Sequence, residues 1–196
     1  MEHRALKMKD PQVRERDGVR YLEGYFAVFD KPYHVCEMWV ETIAPGAFRG
    51  ALESGKDVKV LWNHNHDIVL GSTGAGTATL REDDVGLWGS VLINEKDQDA
   101  VNANARVERG DVDGCSIGFE IAKLEEVWEG EQYRTRILEI DPLYEVSPCT
   151  FPAYMDTSIS SRAKASMEQA RTRFDQAKEE KLNLWREQMR NRLKGE

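Results

Sequence analysis

The sequence has few of the residues that build metal, redox or membrane sites. Its three cysteines, Cys36, Cys115 and Cys149, are widely spaced with no C-x-x-C pair. That pattern predicts reduced thiols used as small apolar residues and no zinc site. It has no apolar run of about 18 residues and no apolar signal segment near its start, which predicts a soluble protein made in a cytoplasm. We therefore expect no metal, no cofactor and no membrane association.

Basic residues are fewer than acidic ones. The chain has 27 Lys and Arg against 35 Asp and Glu, a net charge of −8, so no general basic surface for nucleic acid is expected. The four histidines leave few candidates for acid–base catalysis. With 196 residues, 40% of them hydrophobic, the chain is long enough for one domain with a true core and an appendage.

Alternating apolar and polar residues dominate the first 150 positions and predict strands. The clearest are at 19–29, 57–63, 86–93 and 133–146. Helical spacing is confined to 45–52, opened by Pro45-Gly46, and to 97–109, followed by Gly110. Strand after strand with two helices between them predicts an α+β fold, mostly antiparallel and β-barrel-like, and not a parallel βαβ layout.

The composition changes near Ser160. From there Ala, Glu, Gln, Arg and Lys dominate, with no Pro and no Gly until Gly195. Apolar residues recur every three to five positions and predict one long amphipathic helix: Met167, Ala170, Phe174, Ala177, Leu182, Trp185, Met189 and Leu193. This segment carries ten basic and six acidic residues. We predict a domain over 1–157 and a helix over 158–196, which either packs on its own domain or docks on a partner or a second copy.

The stretch 113–120 predicts a strand entered from a turn, with a serine at its centre. Cys115 shares strand parity with Ile117 and Phe119, which predicts that its thiol faces the core. Ser116 has the opposite parity, and the next residue on its face is Gly118. We therefore expect Ser116 on an open face that a substrate can approach, although most serines in strands are structural.

A nucleophilic serine needs a base to accept its proton and an acid to orient that base. The candidate bases are His64 and His66, which strand parity does not separate. The candidate acids lie on the late strand: Glu139, Asp141 and Glu145. No phosphate-binding loop or G-x-S-x-G elbow points to another chemistry.

Several sequence blocks occur together in one order over about residues 20–155. They are 24–29 (GYFAVF), 41–48 (ETIAPGAF), 61–65 (LWNHN) with 70–73 (LGST), 86–87 (GL), 115–119 (CSIGF), and 143–147 (LYEVS) with 151–154 (FPAY). In that order they resemble the prohead (capsid maturation) protease family of tailed phages. The block 115–118 is also similar to the Cys-Ser-Val-Gly nucleophile segment of herpesvirus assemblins.

The resemblance implies three site residues and a fold. The family's nucleophile corresponds to Ser116, its histidine to His64, and an acidic triad member to Glu145. Assemblins use a second histidine in that last role, which would instead point to His66 or His34. The implied fold is a closed or nearly closed β-barrel ringed by helices. The oxyanion would be held by backbone N–H groups or by an arginine, for which Arg134 and Arg136 are candidates.

The resemblance also implies a function. The chain is expected to be a serine endopeptidase that cuts itself and either the scaffold segment of the major capsid protein or a separate scaffold protein, inside an assembling prohead in the host cytoplasm. The C-terminal helix would anchor the enzyme in the scaffold or associate with a second copy, and be removed by self-cleavage. Two alternatives stay open: a catalytically silent capsid-assembly scaffolding protein, and a cysteine hydrolase that uses Cys115.

Overall fold

The computed structural model describes residues 2–7, 9–150 and 157–193. Its strands are β1 (Glu2–Lys7), β2 (Lys9–Arg16), β3 (Val19–Val28), β4 (Tyr33–Cys36), β5 (Trp39–Ile43), β6 (Lys59–Trp62), β7 (Asn65–Ser72), β8 (Ala78–Glu82), β9 (Gly86–Leu92), β10 (Gly114–Glu129) and β11 (Gln132–Cys149). Its helices are α1 (Arg49–Glu53), α2 (Gln98–Glu108) and α3 (Thr157–Leu193).

Two sheets form the strand-rich part of the chain. The larger follows the order β1-β10-β11-β5-β4, and β6 pairs with both β11 and β7. The smaller has the order β2-β3-β9-β8. Most neighbouring strands are antiparallel, and β11 is parallel to β5 and β6. The predicted α+β class with mostly antiparallel strands is therefore confirmed.

The closed β-barrel that the resemblance implies is not formed by the described residues. The larger sheet ends at β1 on one side and at β4 and β7 on the other, and the strands described form two separate sheets. Strand alternation alone predicts which residues are buried, but it does not say whether the two outermost strands of a sheet meet.

One apolar core joins the inward faces of these strands. Its largest fully buried side chains include Phe26, Phe48, Phe119, Leu87 and Ile137. Each such side chain stabilises the fold by roughly 1.5–3 kcal/mol relative to an exposed one. The inward parity predicted for the strand that carries Ser116 is correct, because Cys115, Ile117 and Phe119 all belong to this core.

The two short helices match their sequence signals to different degrees. For α2 the prediction is confirmed: Asp97 is its N-cap, and the carboxylate accepts a hydrogen bond from the backbone N–H of Asp99. The other helix begins later than predicted, at Arg49. The reason is Gly46, whose φ of +89° lies in the left-handed region and cannot continue a right-handed helix.

The chain divides into two units, 1–154 and 155–196. The second contains α3, which confirms the prediction of a long C-terminal helix. Large apolar side chains are exposed on it: Phe174, Leu182, Leu184 and Trp185. Among the described residues no helix is both long and apolar enough to cross a bilayer. The assignment of a catalytic domain to 1–157 and an interaction arm to 158–196 stays a prediction.

Candidate active site

The candidate base lies at the tip of the hairpin that joins β6 to β7. Trp62 pairs with Asn65, so Asn63 and His64 form a two-residue turn. Their φ angles are +54° and +59°, as a type I′ turn requires. The turn interrupts strand parity and separates the two candidate histidines. His64 is turned toward β11, whereas the side chain of His66 is exposed on β7.

Hydrogen bonds fasten this hairpin tip to the end of β11. The backbone N–H of Asn63 donates to the carbonyl of Pro148 at 3.1 Å. The side chain of Asn63 accepts from the Thr150 N–H at 2.8 Å and donates to the Thr150 hydroxyl at 3.2 Å. The backbone N–H of His64 donates to Ser147 Oγ at 3.3 Å. The position of the imidazole is therefore tied to β11 and not only to its own turn.

His64 and Glu145 form the central pair of the site. Nδ1 of His64 lies 2.7 Å from Glu145 Oε1, and the side chain of Glu145 is only 4% exposed. The other carboxylate oxygen, Oε2, accepts a hydrogen bond from the Ser147 hydroxyl at 2.5 Å. A buried carboxylate is stable only when its oxygens are paired, and here both are. When Nδ1–H donates to Glu145, Nε2 carries the lone pair that can accept a proton.

Ser116 lies on β10, directly opposite Ser147 in the β10–β11 ladder, and Gly118 lies opposite Glu145. The absence of a side chain at Gly118 matters here, because a Cβ atom at position 118 would approach Glu145 Oε1 to 2.6 Å. The carboxylate therefore occupies the space that the missing side chain leaves. Strand pairing brings Ser116 onto the face that carries Glu145 and Ser147.

The expectation that Ser116 faces an open surface is wrong. The residue is fully buried, and its hydroxyl has no hydrogen-bond partner among the described residues. The sequence pattern predicts only which way a side chain points, and this face of β10 is covered as well as the core face. A buried hydroxyl without a partner lowers the free energy of unfolding by roughly 1–3 kcal/mol, so stability does not explain a serine at this position.

The other candidates lie elsewhere. Asp141 is bound to Lys56 at 3.0 Å, and the side chains of both are solvent-accessible. Arg134 pairs with Glu129, and Arg136 with Asp30. The two arginines are 11 or more positions from Ser147 along β11, or roughly 35 Å of strand. The structure does not bring them to Ser116.

The remaining histidine and carboxylate candidates are also outside the site. His34 is exposed on β4. Oε1 of Glu139 lies 3.7 Å from the position that a Cβ atom would take on Gly50. Within the described residues no cluster of His, Cys, Asp and Glu is placed to hold a metal ion.

The two cysteines nearest the site are buried thiols. Cys115 Sγ donates to the carbonyl of Phe26 at 3.2 Å, on the core side of β10. Burial, with a smaller contribution from the negative charge of Glu145, raises the pKa of Cys149 to about 12. A thiol that stays protonated is a poor nucleophile, and the Cys115 thiol faces the core, so neither is arranged as a hydrolase cysteine.

Sequence reasoning missed Ser147. The signal was present, since residues two apart on a strand share a face and Glu145 was already a candidate. What the pattern could not supply is that the Ser147 hydroxyl contacts both Glu145 and the backbone of His64.

A sequence model of the family described as "Caudovirus prohead serine protease" matches residues 6–172, which include all of these site residues. The chain belongs to this family. The resemblance to this family is thereby confirmed. The block 151–154 lies within the match but outside the residues that the structure describes. The family match ends within α3.

Among relatives of the caudovirus prohead serine protease family, the chain is similar to the "Prohead protease" of Enterobacteria phage HK97. The two are 29% identical over 144 residues, which cover 71% of this chain and 59% of that protein. The match thus spans about three fifths of the relative's length. No solved structure shows a significant match to the chain.

Proposed function

We propose that the chain is a serine endopeptidase of prohead maturation, with Ser116 as nucleophile, His64 as general base and Glu145 as the residue that orients the base. The observation that carries the proposal is the 2.7 Å contact between His64 Nδ1 and the buried Glu145 carboxylate, beside the strand position of Ser116. Membership of the caudovirus prohead serine protease family supports the same chemistry.

The proposed reaction follows from these positions. Ser116 Oγ attacks the carbonyl carbon of a peptide bond while its proton passes to His64 Nε2. Glu145 stabilises the imidazolium that forms. The C–N bond then breaks, His64 returns the proton to the leaving amine, and water releases the acyl group from Ser116 by the same steps. Backbone N–H donors are proposed for the oxyanion, because neither candidate arginine is near the serine.

The burial of Ser116 adds a condition. A peptide can reach the hydroxyl only after the groups that cover it move. Strand β1 pairs along β10 with Ala5 opposite Ser116, so the edge of the nucleophile strand is occupied. We propose that the isolated chain is a resting form and that cleavage begins in the assembling prohead, in the host cytoplasm. A protease that cleaves its own scaffold has to stay inactive until the shell has assembled.

The proposed substrates are the scaffold segment of the capsid protein, or a separate scaffold protein, and the chain itself. For recruitment we propose α3, whose exposed Phe174, Leu182 and Trp185 lie along one helical stripe. The segment from Ser160 carries a net charge of +4, from ten basic and six acidic residues, within a chain of net charge −8. Such a helix is suited to anchoring in the scaffold or to self-association, and to removal by self-cleavage.

The recruitment proposal is tested with surface substitutions in the full chain. We expect Leu182→Glu with Trp185→Glu to reduce the amount of protease found in purified proheads. The control is Leu184→Glu, since Leu184 is at least as exposed but lies off the stripe. Equal incorporation of all three proteins, measured by mass spectrometry of the proheads, would count against a role for this stripe.

The catalytic proposal is tested by intact mass over time, with the chain assembled together with its matching capsid protein. We expect both proteins to be shortened, and the shortening to vanish in Ser116→Ala but not in Cys115→Ala. The buried, unpartnered state of Ser116 also fits a second candidate, a silent scaffolding protein. If assembled shells form and no protein is cut, the chain is a scaffolding protein and not a protease.

A further inference from the structure

The residue opposite Ser116 on the neighbouring strand is not explained by the proposed triad. Ser147 is fully buried, and its hydroxyl takes part in two hydrogen bonds. It donates to Glu145 Oε2 at 2.5 Å and accepts the backbone N–H of His64 at 3.3 Å. A serine hydroxyl has one proton to give and lone pairs to accept with, and both capacities are used here.

We propose that Ser147 is a positioning residue, which holds the Glu145 carboxylate and the His64 backbone in one fixed relation. The inference rests on the proposed function, because it assigns Ser147 a task in orienting the proposed base. Ser147 does not itself contact the reacting atoms in this role. It acts through the two residues that it bonds.

The geometry explains why one hydroxyl is needed at this point. His64 reaches Glu145 through its side chain, while its backbone lies in the left-handed region, which most residues with a side chain avoid. The bond from the His64 N–H to Ser147 Oγ holds that conformation against β11. The same oxygen fixes the second carboxylate oxygen, so that Oε1 is left for Nδ1.

The chain contains a close parallel that separates positioning from stability. In the smaller sheet the Ser90 hydroxyl donates to the buried Glu23 carboxylate at 2.8 Å. Arg16 also binds this carboxylate, and no histidine contacts it in the hydrogen bonds described. Ser90→Ala therefore removes the same kind of bond, from serine to buried carboxylate, at a place without catalytic groups. It is the matched control for Ser147→Ala.

The first measurement needs no activity. In the full chain labelled with ¹⁵N at histidine, the Nδ1 proton of His64 gives a downfield resonance when it is bonded to a carboxylate, and His64→Gln assigns it. We expect Ser147→Ala to move this resonance upfield and to speed its exchange with water by about 10-fold or more. Ser90→Ala should leave it unchanged, and Ser147→Thr, which keeps a hydroxyl, should restore it.

The second measurement is the rate of scaffold processing in assembled proheads. We expect Ser147→Ala to slow it by about 10- to 100-fold, and Ser90→Ala to leave it at the original rate with a similar loss of thermal stability. An unchanged His64 resonance in Ser147→Ala overturns the proposal. So does cleavage that persists in Ser116→Ala but stops in Ser147→Ala, since Ser147 would then be the nucleophile. If the original chain cleaves nothing, the proposed function fails while the resonance still decides the positioning role.

Discussion

Replacing Gly118 by alanine tests the geometry of the site at its tightest point. The added Cβ atom would lie 2.6 Å from Glu145 Oε1 and 3.1 Å from Cγ, whereas ordinary contact begins at 3.4 Å. The oxygen would therefore have to retreat by about 0.8 Å. Oε1 is also the atom that lies 2.7 Å from His64 Nδ1, so a retreat of that size directed away from the imidazole would lengthen the contact to about 3.5 Å, the edge of hydrogen-bond distance.

The expected loss follows from the strength of that bond. Hydrogen bonds to charged groups contribute about 1.5–3 kcal/mol, which corresponds to about 10- to 150-fold in rate. We therefore expect Gly118→Ala to slow the proposed scaffold processing in assembled proheads by that factor. The protein should fold, because the neighbour that must move is the far end of a side chain and not backbone. The assay is intact mass of the capsid protein against time.

Gly74→Ala is the control for this substitution. Its Cβ atom would approach the Asp57 carboxyl carbon to 2.8 Å, so it also drives a methyl group against a carboxylate. The Asp57 carboxylate is exposed, however, and its hydrogen bonds are to Lys59, Ser72, Thr73 and Gly74 and not to a candidate site residue. We expect this variant to process the scaffold normally. If Gly118→Ala processes the scaffold as fast as Gly74→Ala does, the carboxylate is not needed where the structure has it, and the reasoning is refuted.

Four further predictions concern the acid, the thiols and a helix cap. Glu145→Gln should lower the processing rate by about 10⁴-fold, because an amide N–H facing Nδ1 favours the tautomer whose Nε2 cannot accept a proton. A rate within tenfold of the original would contradict the role of Glu145. In the folded chain iodoacetamide should alkylate Cys36, which is half-buried, and should modify Cys115 and Cys149 only after unfolding. Peptide mapping measures which thiols are modified. Alkylation of Cys115 in the native chain would support the cysteine-hydrolase alternative. The pKa of Cys149 rises from its ordinary 9.0 to about 12 on folding, so the unfolded chain loses this proton at a lower pH than the folded chain does. The free energy of unfolding should therefore fall as pH rises from 9 toward 12. Urea titrations measure this fall, and Cys149→Ala should make it smaller. Asp97→Ala should lower the free energy of unfolding by about 1 kcal/mol through loss of the α2 cap, whereas an unchanged urea midpoint would show that the cap is not needed.

Local sequence determined much of this fold. The alternation around Ser116 predicts correctly that Cys115 faces the core, because side chains on a strand must point to opposite faces. Asp97 and Gly110 enclose α2 because caps act over one helical turn. The long apolar stripe after Ser160 predicts α3 for the same local reason. Each of these features depends on neighbours within a few residues.

Other features were decided by contacts between residues far apart in the chain. Parity could not separate His64 from His66, because it assumes a strand where the chain makes a tight turn with positive φ. The pairing of His64 with Glu145 joins positions 81 residues apart. The burial of Ser116 and the second contact of Ser147 depend on how β10, β11 and the β6–β7 hairpin pack together. The sequence by itself determined which chemical groups are present and which way each strand points them. Only the tertiary structure decided which of those groups meet, because strand pairing and hairpin packing are set by the whole domain and not by any one segment.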